Sequence, residues 1–174
     1  MNVWLIAAMS ADGKIAQSAD QCSLDWTSKE DTRFFIDKTK EAGTVIMGRK
    51  TFDTIGKPLK GRRIIVMSRG GGKVEKWEGG EVKERGTVEY TSLSPREILD
   101  WLVSEGVTTI ALAGGSSIYS QFLHDCLVTD LFLTIEPCLF GTGVPLATDF
   151  DRLDLRLENV TRLNDQAVLL HYKT

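Results

Sequence analysis

Short apolar runs, each closed by turn residues and separated by segments able to form a helix, limit this chain to few folds. The first run spans 3–9 and ends at Ser10-Ala11-Asp12-Gly13; others span 44–47, 63–68 and 108–113. Runs of this length bounded by Gly, Ser or Asp fit buried strands. The intervening segments carry helix signals. Thr27-Ser28-Lys29-Glu30 fits a capping box in which the Thr27 hydroxyl and the Glu30 carboxylate satisfy free amides, with Gly43 as the stop. This predicts a helix over 28–42. A short helix follows Gly48-Arg49-Lys50-Thr51 and ends near Gly56. Ser94-Pro95-Arg96-Glu97 combines an N-cap, Pro at N1 and Glu at N3, opening a helix with Ile98, Leu99 and Leu102 on one face and Gly106 as its stop. Another helix runs from the Gly114-Gly115 turn to about 123.

The rest of the chain reads as strands: 87–91, 131–135, and a pair near 154–163 and 167–173 closed by a hairpin at Asn164-Asp165. Strands alternating with helices, then strands alone, predict an α/β fold. Its central sheet is mostly parallel, flanked by helices, with an antiparallel C-terminal hairpin. A length of 174 residues, 42% of them hydrophobic, suits one domain over 1–174. The polar stretch 16–25 is a candidate mobile loop, and Gly70-Gly71-Gly72 reads as a flexible surface connection.

A formal net charge of −3 with dispersed Lys and Arg supplies no block to grip nucleic acid or an anionic membrane, so a small-molecule substrate is the better expectation. Cys22, Cys126 and Cys138 are too few and too scattered for a disulfide framework or a zinc site, and read as reduced cytoplasmic thiols. No metal-ligand spacing occurs. The N-terminus lacks a signal-peptide pattern, and no apolar run is long enough to span a bilayer.

Several residues are suited to chemistry. Asp31 falls in a first helical turn and shares a face with Phe35, beside Phe34, so its carboxylate borders an apolar wall. It either complements the helix dipole or serves a reaction, and the residues alone leave both open. Gly114-Gly115-Ser116-Ser117 links a strand to a helix, where backbone amides can approach a phosphate. Gly48-Arg49-Lys50-Thr51 does the same and adds two cations and a hydroxyl, so the two turns could clamp a diphosphate. Ser68-Arg69 ends a strand where a guanidinium could take the ribose phosphate that distinguishes NADP from NAD. Ordinary solvation or turn geometry would also account for each. Of Arg62 and Arg63, which alternate along a strand, one should reach a ligand. His124 and His171 lie apart and read as surface or sheet residues. Trp26, Tyr119 and Thr134 are packing residues unless a pocket gathers them.

Taken together these segments resemble the dihydrofolate reductase family. The matching stretches are Leu5-Ile6-Ala7-Ala8 with Asp12 and Ile15, Trp26 with Asp31 and Phe34-Phe35, 45–52, 55–62, Gly114-Gly115 through Tyr119 to Phe122, and Leu133-Thr134. The resemblance implies NADPH as cofactor, dihydrofolate as substrate and antifolate sensitivity in a cytoplasmic monomer or homodimer. By that similarity Asp31 binds the pterin, Thr134 partners the acid, and Trp26 holds a nearby water. Ile6, Ala7, Phe35 and Ile55 line the substrate pocket, and Arg62 holds the glutamate tail of folate. Ala8, Ile15, Gly48, Arg49, Lys50, Thr51, Ser68, Arg69, Ala113, Gly114, Gly115, Ser116, Ser117, Ile118 and Tyr119 correspond to the cofactor site. Three features depart from the pattern: Ser28 stands where a proline is common, the 17–23 loop is unusually polar, and Ala113 replaces a bulkier aliphatic residue. Ser10 to Ala16 and Glu136 to Leu146 look instead like the riboflavin-pathway pyrimidine reductases, which share the fold. The substrate is thus either a folate or a related pyrimidine or pterin; a non-catalytic nucleotide-binding module is the third alternative.

Overall fold

The computed structural model describes residues 1–69, 75–76 and 86–174. The Gly70-Gly71-Gly72 connection lies outside the described residues. In chain order the elements are β1 (Asn2–Ser10), β2 (Lys14–Ala16), α1 (Lys29–Ala42), β3 (Thr44–Gly48), α2 (Arg49–Ile55), β4 (Arg63–Met67), β5 (Glu75–Lys76), β6 (Val88–Thr91) and α3 (Pro95–Ser104). They continue with β7 (Thr109–Leu112), α4 (Ser116–His124), β8 (Asp130–Glu136), β9 (Val144–Pro145), β10 (Arg156–Arg162) and β11 (Val168–Lys173).

Among the described residues the main sheet has the order β10-β11-β8-β1-β7-β3-β4-β6-β5. β8, β1, β7, β3, β4 and β6 run parallel. β11 and β10 are antiparallel at one edge and β5 at the other. The α/β class, the mostly parallel sheet and the closing hairpin are therefore as the sequence predicts. Asn164 makes that hairpin by accepting the Gln166 and Ala167 amides at 2.8 Å each through its side-chain oxygen.

Both faces of the central parallel strands are covered, which is why those strands read as near-continuous apolar runs, whereas β10 at the edge is exposed throughout. Leu5, Ala7, Ile46 and Leu112 pack on one side with Ile98 and Leu102 of α3 and Ile118 and Phe122 of α4. Ile6, Val45, Met47 and Ala111 pack on the other with Phe52 of α2 and Phe34 and Phe35 of α1. The two sets alternate along each strand, as the pleat requires.

Two local expectations are corrected. The N-cap of α1 is Ser28, whose side chain accepts the Asp31 amide, rather than Thr27. The frame moves by one residue because the Thr27 hydroxyl serves the Asp31 carboxyl instead, while Glu30 accepts from Asn164 at 3.0 Å. The stretch 16–25 is not wholly irregular. Residues 14–16 form β2 against β9, and Ser23–Asp25 make one turn of 3-10 helix.

Asp12 ties this region together. Its carboxylate accepts the Ser10 hydroxyl at 2.6 Å, the Phe140 amide at 3.0 Å and the Gly141 amide at 2.8 Å. These bonds pull its pKa from 3.8 down to about 2, the Ser10 hydroxyl contributing most. A depressed carboxyl stabilises the fold above its unfolded pKa, and that stabilisation fades as pH falls through the folded value. The melting temperature advantage of the wild type over Asp12→Ala is therefore expected to be full at neutral pH and to shrink between 3.8 and about 2. Thermal unfolding across that range checks it, and a constant difference would contradict the assignment.

Candidate active site

The parallel strands end on one side of the sheet, and a continuous cleft of about 1760 Å³ opens there. Crevices beyond the carboxyl ends of parallel strands are the usual ligand sites of open α/β sheets. β1 contributes Ile6, Ala7 and Ala8 to the wall, and Ile15 follows from β2. Asp31 and Phe35 come from α1, and Ile55 and Arg62 from α2 and the turn after it. Gly48 ends β3 and Arg49, Lys50 and Thr51 follow it, Ser68 and Arg69 follow β4, and the stretch 113–119 follows β7. Nearly every residue singled out from sequence thus faces one cavity.

Trp26 and Thr134 are the exceptions, for neither lines the cleft. Thr134, 1% exposed on β8, bonds the Asp31 carboxyl from behind. Trp26 packs edge-on against Phe140, with ring centroids 4.9 Å apart, and its indole nitrogen is buried with no hydrogen-bond partner among the described residues.

Asp31 is 8% exposed. Its pKa is raised from the ordinary aspartate value, chiefly by burial and further by the charge of Glu136, against hydrogen bonds from Thr134 and Thr27. The side chain is thus an acid in an apolar recess, held by two hydroxyls. Nearby, the Tyr119 hydroxyl donates to the Ile6 carbonyl at 2.6 Å. Burial and the Asp31 charge push its pKa up, so the phenol stays protonated.

Arg62 and Arg63 separate as the alternation requires. Arg63 is taken up by Glu89 and Glu105 and lies over the Trp101 ring. Arg62, 6% exposed, faces the cleft. Its Nη1 donates to Thr39 Oγ1 at 2.7 Å and its Nε to the Lys60 carbonyl at 3.2 Å, which fixes the plane of the guanidinium. A fixed fork at a cavity wall suits a carboxylate or phosphate.

The two turns proposed to clamp a diphosphate are neighbours. The Gly48 amide donates to the Gly114 carbonyl at 2.8 Å. A Cβ on Gly48 would meet Ile118 at 3.2 Å, and one on Gly115 would meet Thr51 Oγ1 at 3.3 Å. Gly114, at φ +95°, has a conformation that side-chain-bearing residues rarely adopt. The glycines therefore keep a narrow cradle open between two backbone turns, which fits a dinucleotide pyrophosphate. Of the cations around it, Arg49 donates to both oxygens of Asp53 and lies against Tyr90. Lys50 is exposed, its Nζ 4.0 Å from Asp20.

Sequence reasoning missed part of the lining. Thr32 and Ile36 of α1 stand beside Asp31 and Phe35, and the same four-residue helical spacing identifies them. Thr91, Ser92 and Leu93 enter because β6 lies beside β4, the Ser68 amide donating to the Thr91 carbonyl at 2.9 Å. No sequence signal pairs those strands. Glu136, 3% exposed, was also missed as a neighbour of Asp31.

An acid in an apolar recess and a buried arginine face the same cleft as a glycine-lined cradle shaped to admit a nucleotide phosphate. Residues 2–136 match the family model for dihydrofolate reductase, so the chain belongs to the dihydrofolate reductase family and is a nicotinamide-dependent oxidoreductase. It is 39% identical over 138 residues to the dihydrofolate reductase type A13 of Escherichia coli, covering 78% of this chain and 79% of that protein. Among solved structures it resembles a protein of Shewanella sp. PV-4 named for riboflavin biosynthesis, with a TM-score of 0.81 and 22% identity over 99% of this chain and 98% of that one. It also resembles a bifunctional diaminohydroxyphosphoribosylaminopyrimidine deaminase and 5-amino-6-(5-phosphoribosylamino)uracil reductase of Thermotoga maritima. There the TM-score is 0.76 and the identity 20%, over 99% of this chain and 56% of that one. Those two likenesses show the fold.

Proposed function

We propose that the chain reduces 7,8-dihydrofolate to tetrahydrofolate with NADPH, residues 1–174 acting as one domain. The observation that carries this reading is the pairing of Asp31 and Arg62 in one cleft, an acid for the pterin ring and a guanidinium for the carboxylate of the tail. Bound NADPH supplies the hydride that goes to C6 of the pterin, while N5 gains a proton. Asp31 accepts hydrogen bonds from the pterin and, held towards its protonated form, favours proton delivery at N5. Ile6, Ala7, Phe35 and Ile55 form an apolar slot for the ring. The cradle at 48–51 and 114–117 sets donor against acceptor. Arg69 with Ser68 is the proposed reader of the extra ribose phosphate. Trp26 and Thr134 support the loop and the acid from outside the cleft.

A second reading, reduction of a phosphoribosylamino-pyrimidine, is supported by the likeness of fold to the Thermotoga maritima enzyme and by the Glu136 to Leu146 stretch. One comparison separates the two. Purified protein is expected to oxidise NADPH with dihydrofolate, faster than NADH, and to be blocked by methotrexate. Inactivity with dihydrofolate together with turnover of the pyrimidine would overturn the folate reading.

A further inference from the structure

Asp31 is not the only buried carboxylate at this end of the sheet. Glu136 closes β8 two residues after Thr134, so both side chains share one face of the strand and meet the first turn of α1 in succession. Thr134 engages the Asp31 carboxyl. One oxygen of Glu136 accepts the Ser28 amide at 2.8 Å and the Ser28 hydroxyl at 2.7 Å. The same hydroxyl oxygen accepts the Asp31 amide at 3.3 Å. Ser28 thus joins the two acids, capping the helix with one hand and holding Glu136 with the other.

We propose that Glu136 is a positioning residue for the reduction: through Ser28 it locks the first turn of α1 and sets the Asp31 carboxyl near a second buried acid. This rests on the reading of Asp31 as the acid of the site. Two buried carboxylates joined through one serine resist joint ionisation. The upward shift of Asp31, in which the Glu136 charge stands after burial, accords with that arrangement.

Among the described residues, Glu136 is the charge that acts on Asp31. From α4, Tyr119 faces Asp31 but remains a neutral phenol. β1 offers only Ile6, Ala7 and Ala8 to this wall. Beyond Glu136 lie Asp12 and Cys138; burial and the charges of Glu136 and Asp12 push the Cys138 thiol up.

Glu136→Gln keeps an oxygen for both Ser28 donors and removes the charge. In ligand-free protein the Asp31 titration, followed by carboxyl carbon NMR and assigned with Asp31→Asn, is expected to move to lower pH. The alkaline limb of the pH–rate profile should move with it, lowering kcat on that limb several-fold with KM little changed. A purely structural role would move neither. An unmoved Asp31 titration overturns the proposal whatever the substrate is. A moved titration without dihydrofolate turnover in the wild type overturns the folate reading and leaves the coupling standing. Should Glu136→Gln not fold, wild-type protein still decides: the Glu136 carboxyl resonance is expected to sense the Asp31 step and to lose that inflection in Asp31→Asn, and its absence from the wild type overturns the proposal.

Discussion

Asp31→Asn is expected to lower kcat for dihydrofolate by about 10²–10⁴-fold, the usual worth of a positioned acid or base, while NADPH affinity is unchanged. The carboxyl lies on α1, and the glycine cradle belongs to the turns after β3 and β7, so the two functions are held by different elements. Asn can occupy the same volume and keep part of the bonding to Thr27 and Thr134, but it cannot take up and release a proton. The loss should therefore appear in single-turnover hydride transfer and not only at steady state.

Stability provides the control. A carboxyl whose pKa is raised in the folded state stabilises the fold below its unfolded pKa and loses that contribution as pH rises through the folded value. As pH rises through the folded value, the buried Asp31 carboxyl therefore comes to weaken the fold, chiefly through desolvation. Asp31→Asn should melt higher than the wild type above that value, with the gap closing in acid. An inactive variant that also melts lower would point to damage rather than lost chemistry. Full activity would remove Asp31 from the mechanism.

The parts of the site that were legible in the sequence are those fixed by local geometry. A short apolar run followed by Gly48-Arg49-Lys50-Thr51 or Gly114-Gly115-Ser116-Ser117 reads as a strand turning into a helix, and parallel strands bring such turns to one side of a sheet. Arg62 and Arg63 were separable in principle by alternation, but which one faced inward depended on Glu89 and Glu105, residues of β6 and of the turn beyond α3 that capture Arg63. The N-cap of α1 was misplaced because Thr27 and Ser28 are chemically equivalent caps. The choice between them is made by their partners: Thr27 is taken up by the Asp31 carboxyl, and Glu136 of β8 holds Ser28 from 108 residues away. Glu136 itself carries no local signal, since an acid at a strand end reads as solvated until the register of β8 against β1 sets it opposite Ser10.

Arg62→Leu is expected to weaken dihydrofolate binding far more than it slows the chemical step. Removing one partner of a buried, hydrogen-bonded charge pair costs about 2–5 kcal/mol, a rise in KM between roughly 30-fold and several thousand-fold at 1.4 kcal/mol per factor of ten. Arg62 is placed for this effect by its burial and by Thr39 and the Lys60 carbonyl, which hold the guanidinium without neutralising it. The substitution should not unravel the wall, because the Thr39 hydroxyl still donates to the Phe35 carbonyl at 2.6 Å. A pterin lacking the glutamate tail separates binding from packing. Its KM should be nearly the same in wild type and variant, since it offers no carboxylate to Arg62. Equal weakening of both substrates would make Arg62 a packing residue of the wall. No weakening of either would remove the tail carboxylate as its partner and shift the assignment towards the pyrimidine substrate.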